Sequence, residues 1–307
     1  MQNIRRIRIS SCALRVFRAT MGQKTGKDDF PMKRIDLHVH ARPARFSPEA
    51  LRKMYDELSV SRGVCQGGDF TKGQTTLDLY PDSVGWMFCS PAQLINDGAG
   101  KNEILEYMHA CVEAGAAGFG EMTPHIYIDD DRMAPVYEYI EKTGLPMTIH
   151  LAAPRESYGL IDDLGLAHLE NVLRAYPGMR ILGHAVAFWA EISGDVTEET
   201  RTQRSTTPVV PGGRVVELMR KYPNLLADLS AGSGSIAMTR DPAFACRFMT
   251  EFADRVYFAT DMTGDDYSFD PPRRLARLLD ESVETGALSQ EAYEKVCFKN
   301  AQKLLNK

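Results

Sequence analysis

The stretch Lys33–Pro43 reads KRIDLHVHARP. Its first half, Arg34–Val39, has the β-formers of a short strand, and it carries two histidines one residue apart. A polar turn follows, then SPEALRKMYDEL, where Ser47 at the N-cap and Pro48 at the first helical position predict a helix. This strand–loop–helix unit recurs down the chain. Further strands are expected around Val60–Cys65, Val84–Cys89, Ala117–Glu121, LPMTIHL (145–151), RILGH (180–184), LLADLS (225–230) and VYFATD (256–261). Between them, NEILEYMHACVEAG, DDRMAPVYEYIEKTG, AHLENVLRAYPG, RVVELMRKYP and FACRFMTEFAD have the spacing of amphipathic helices. Alternation of this kind predicts a parallel sheet, and eight units in this length fit a single-domain (β/α)8 TIM barrel over residues 33–307. An open, doubly wound sheet fits less well, because no G-x-G-x-x-G follows the first strand. The polar run 193–213 reads as a loop excursion rather than a linker.

In a barrel of this type the loops after the strands build the active site, so polar residues at strand C-terminal ends are the informative ones. His38 and His40 close the first expected strand, Glu121 the fourth, His150 the fifth, His184 the sixth and Asp261 the eighth. Residues two apart on a strand share a face, so His38 and His40 can hold one ion without bending the backbone. An H-x-H pair alone is common by chance, and two core histidines would explain it. Recurrence of His and Asp at one end of several strands instead predicts a shared metal site there. Imidazole and carboxylate suit zinc, with manganese or iron as alternatives. Such a site activates water, and Asp261 could take up the proton while His184 hydrogen-bonds the substrate oxygen.

The bulk composition narrows the class. A formal charge of −5 with no basic stripe in the body of the chain argues against nucleic acid, and no apolar run reaches the roughly 20 residues of a membrane span. Six cysteines without a C-x-x-C pair suit thiols in a reducing compartment, so a cytoplasmic location is expected. The first 32 residues differ. NIRRIRISSCALRVFRAT holds five arginines and no acid, as a targeting segment would, or as sequence upstream of a start at Met21 or Met32 would. Residues 1–32 are therefore expected to be an extension outside the barrel, disordered or not native.

Asp36-x-His38-x-His40, followed by His150, His184 and Asp261 at successive strand ends, resembles the amidohydrolase superfamily, and within it the amidohydrolase-related branch that also holds aminocarboxymuconate-semialdehyde decarboxylase-like enzymes. The resemblance spans about residues 33–305. It implies His38, His40 and His150 as ligands, Asp261 as ligand and proton shuttle, and His184 as a ligand of a second metal in binuclear members or a substrate-polarising group in mononuclear ones. The sequence departs from the binuclear pattern in one place: GFGEMTPH puts Glu121 where a carboxylated lysine would bridge two ions. Glu121 is then a ligand, or else a partner of one or a substrate contact. The implied activity is metal-dependent hydrolysis of an ester, lactone or amide in a small carboxylated substrate. The alternative is non-oxidative decarboxylation of an aromatic or unsaturated acid. A metal-holding barrel that only binds is a third reading, disfavoured because structural sites are closed. Arg42, Arg155 and Trp189 are candidate substrate contacts, and Asp36 a structural residue below the site. A homo-oligomer is compatible with all of this.

Overall fold

The computed structural model describes residues 34–68, 74–265 and 270–306. The extension 1–32 and the middle of the loop QGGDFTKGQTT lie outside the described residues. Strands β1 (Arg34–Val39), β2 (Val60–Gln66), β3 (Val84–Cys89), β4 (Gly118–Met122), β5 (Pro146–Ala152), β6 (Leu160–Ile161), β7 (Arg180–His184), β8 (Leu225–Asp228) and β9 (Val256–Tyr257) form one parallel sheet in the order β1-β2-β3-β4-β5-β7-β8-β9, with the short β6 beside β5. Every residue of β1, β4 and β8 is buried, the continuous inward run of a sheet covered on both faces.

The sheet curls into a barrel whose seam joins β1 to the segment after β9. Leu37 N–H donates to Phe258 O at 3.1 Å, Asp261 N–H to His38 O at 2.7 Å and His40 N–H to Met262 O at 2.8 Å. Asp36 pins the seam from below, accepting from Thr260 Oγ1 (2.6 Å), Thr260 N (2.9 Å), Tyr55 Oη (2.8 Å) and His38 N (3.0 Å). This is the structural part expected of it.

Local chemistry sets the helix ends. Ser47 Oγ accepts from Ala50 N at 3.1 Å to start helix Pro48–Glu57. Helix Ala134–Thr143 ends on Gly144 at φ +65°, a left-handed cap that favours glycine. Besides the short β6 and a helix at Ala92–Asn96, two features depart from the expected pattern. The last strand pairs regularly only over Val256–Tyr257, and its continuation to Met262 hydrogen-bonds β1 as irregular backbone. A helix not foreseen, Ala231–Thr239, follows β8 directly and packs against helix Asp270–Glu284. Within the described residues no helix is long and apolar enough to cross a membrane, and five cysteines are free and buried.

Candidate metal centre

Parallel register brings the strand ends level: His150 on β5 lies opposite His184 on β7, and the seam sets Asp261 against His38. Asp261 adopts φ +58°, a left-handed conformation that aspartate tolerates better than most residues. Its carboxylate then faces the histidine pair, with Oδ1 3.4 Å from His38 Nε2 and 3.2 Å from His40 Nε2. The two Nε2 atoms are 3.2 Å apart. Donors bound to one ion at about 2.1 Å, tetrahedrally or octahedrally, stand about 3.0–3.4 Å from one another. The His38–His40–Asp261 triangle has those dimensions, and the residues present fit a divalent ion.

The far nitrogen of each ring is held. His38 Nδ1 meets Asp228 Oδ2 at 2.7 Å, His40 Nδ1 the carbonyl of Gln66 at 3.2 Å and His184 Nδ1 the Ser230 hydroxyl at 2.8 Å. Such contacts set the tautomer and turn the Nε2 atoms inward. Glu121 bridges the other side, its Oε1 3.4 Å from His184 Nε2 and its Oε2 3.6 Å from His40 Nε2. His38, Glu121 and His184 form a second group close enough to share an ion. His150 belongs to neither group. Its Nδ1 contacts Glu121 Oε1 at 2.6 Å, so it meets the cluster through that carboxylate.

The electrostatics ask for a cation. Burial works against ionisation of Glu121, Asp228 and Asp261, yet the surrounding imidazoles hold all three below the usual carboxylate range. Burial also disfavours a charged His38, but Asp228, Asp261 and Glu121 outweigh it and push that imidazole up to about 10. His184 moves down, through burial and repulsion from His38. A buried cluster of anions of this kind is stable only against positive charge, supplied by a proton on His38 or by a metal in its place.

Above the centre opens a cavity of about 410 Å³, lined by His40, Glu121, Arg42, Thr123, His125 and Tyr158 among others. Arg42 is thus at the mouth. Arg155 is not: its guanidinium donates to Glu199 O (2.9 Å) and Thr202 Oγ1 (2.7 Å) in the 193–213 excursion. Trp189 is buried behind the centre, Nε1 donating to Asp228 O at 2.9 Å. Sequence reasoning passed over Asp228 and Ser230, and set His125 aside as one of the histidines in helices or loops. Asp228 ends β8 and satisfies the same strand-end rule that found the histidines, whereas nothing in the sequence singles out Ser230 or His125.

The family model described as Amidohydrolase matches residues 35–307. No curated protein matches the chain. Solved structures share the fold at low identity: an apo protein from Agrobacterium tumefaciens (TM-score 0.56, 15% identity, 91% of this chain and 97% of that one), a uronate isomerase from Bacillus halodurans (0.55, 13%, 86% and 70%) and a glucuronate isomerase from Caulobacter crescentus (0.51, 14%, 83% and 66%).

Proposed function

The chain belongs to the amidohydrolase family and is a metal-dependent enzyme of that superfamily; from this we propose that it hydrolyses a carbonyl bond, ester, lactone or amide, in a small molecule bearing a carboxylate. His38, His40 and Asp261 would hold the ion, zinc by preference of the donor set, with Glu121 and His184 as the further donors within reach. When bound, the ion supplies Lewis acidity and lowers the pKa of water towards about 7. Asp261 is the base: its carboxylate is kept ionised beside the paired imidazoles, and its side chain keeps 20% of its surface exposed. It accepts the proton of the attacking water and returns it to the leaving group. His184, neutral and fixed by Ser230, presents Nε2 to the polarised substrate oxygen. His150 holds Glu121 in place. Arg42 at the cavity rim offers a guanidinium fork to the substrate carboxylate.

One observation carries this reading: an ionised aspartate within 3.4 Å of both paired imidazoles, at the open end of the barrel. The test joins elemental analysis of protein purified without added metal to turnover on carboxylated lactones, esters and amides. Carbon dioxide release is followed in parallel over dihydroxybenzoates and muconate-like acids. Hydrolysis lost in Asp261→Asn is the expected result. Carbon dioxide release without hydrolysis would overturn it in favour of decarboxylation.

A further inference from the structure

A second cavity of about 420 Å³ lies between helix Val186–Ala190, helix Ala231–Thr239 and the first part of the 193–213 excursion. None of the residues grouped around the proposed ion lines it. Its lining mixes apolar and polar groups: Val186 and Trp189 from one helix, Arg204 from the excursion, and Ser233, Ile236, Ala237 and Arg240 at helical spacing along one face of the other helix.

Two of these polar side chains have hydrogen-bonding atoms without a partner among the described residues. Ser233 is 5% exposed, and its Oγ is one of them. Arg240 Nε and Nη2 are buried and equally unpartnered. The neighbouring carboxylate Asp241 is engaged elsewhere, accepting from Phe244 N at 3.0 Å and Val209 N at 3.2 Å. Asp195, also on the lining, accepts from Ser193 Oγ at 2.6 Å. Asp195 and Asp241 both act on Arg240 electrostatically, so what marks the site is the set of unpartnered N–H and O–H groups rather than an excess of charge. Gly232 lets Arg204 lie close to the helix, since a Cβ there would stand 3.1 Å from Arg204 Nε. Buried donors in a folded protein have acceptors, and no described residue supplies one to Ser233 Oγ or to Arg240 Nε and Nη2.

We propose that this cavity binds an organic anion, its carboxylate or phosphate on Arg240, Arg204 and Ser233 Oγ and its apolar body against Val186, Trp189, Ile236 and Ala237. The volume suits a small molecule of that kind rather than a bare ion. The site stands apart from the Arg42 mouth, yet it is joined to the metal centre's frame. Val186 follows His184 by two residues, and Trp189 holds the backbone of Asp228.

Isothermal titration of the full chain with phenyl phosphate, benzoate and inorganic phosphate tests this. Saturable one-to-one binding is expected for phenyl phosphate or benzoate, tighter than for inorganic phosphate, and whichever binds more tightly identifies the head group. Loss of one guanidinium–oxyanion contact weakens binding about tenfold or more, so Arg240→Gln should do so. Arg204→Gln, at an exposed position with the circular dichroism unchanged, should act in the same direction and covers the case in which the Arg240 variant misfolds. The proposal fails if no probe saturates, if inorganic phosphate binds as tightly as phenyl phosphate, if both variants bind as the parent does, or if Arg42→Gln abolishes binding instead.

Discussion

At the scale of single residues, the centre works because each imidazole has two nitrogens with different tasks. His38 spends Nδ1 on Asp228, and His40 spends Nδ1 on the Gln66 carbonyl, so both Nε2 atoms are left to share one point with the Asp261 carboxylate. Asp228→Asn keeps the shape but replaces a pure acceptor with an amide that can also donate, which loosens the tautomer of His38. Metal affinity should fall about 10–100-fold, measured by competition with a chromophoric chelator, while the apo protein keeps its circular dichroism. An affinity within a factor of about two of the parent would show that Asp228 does not orient the ligand. The histidine pair was readable because period-two spacing places both rings on one face. Ser230 was not, since a serine two residues past a strand end has no preference that marks a ring's partner.

At the scale of elements, the excursion 193–213 reads correctly as irregular, but its anchor is hidden in the composition. Arg201, in a run of threonines and glutamates, looks like a solvated side chain. It is instead fully buried, paired with Glu191 at 2.8 Å and donating to Asp162 O at 2.5 Å. Burial pushes Glu191 up to about 7 despite Arg201. An acid whose folded pKa lies above its unfolded value of about 4.5 favours the folded state most when protonated, and that advantage is lost as pH rises from about 4.5 to 7. Relative to Glu191→Gln, the parent protein in its metal-free form should therefore lose urea stability between pH 4.5 and 7.5. A pH-independent gap between the two would refute the raised pKa. Helix Ala231–Thr239 escaped notice for a related reason: AGSGSIAMT has two glycines and two serines, weak helix formers, and burial against its neighbours outweighs that preference.

At the scale of the whole molecule, the grouped residues tie together β1, β4, β7 and the segment after β9, elements that lie on both sides of the barrel seam. An ion bound there links elements distant in sequence and stabilises the folded state by about 2.7 kcal/mol at a hundred times its dissociation constant. For a barrel of this size that is a rise of several degrees in Tm, about 2–4 °C per kcal/mol. Thermal melts with zinc, with manganese and with EDTA should show the rise, and His40→Ala should abolish it. Equal Tm values in all three conditions would mean that no ion is held. The sequence alone determined the barrel and the level at which its chemistry sits, because strand and helix periods and the bias of strand ends toward His and Asp are local and survive in one dimension. The tertiary structure alone decided which nitrogen of each ring faces inward, that His150 meets Glu121 and not the triangle, and that a second cavity lies behind Trp189. Those depend on ångström-scale distances between strands far apart in the chain, which no spacing rule encodes.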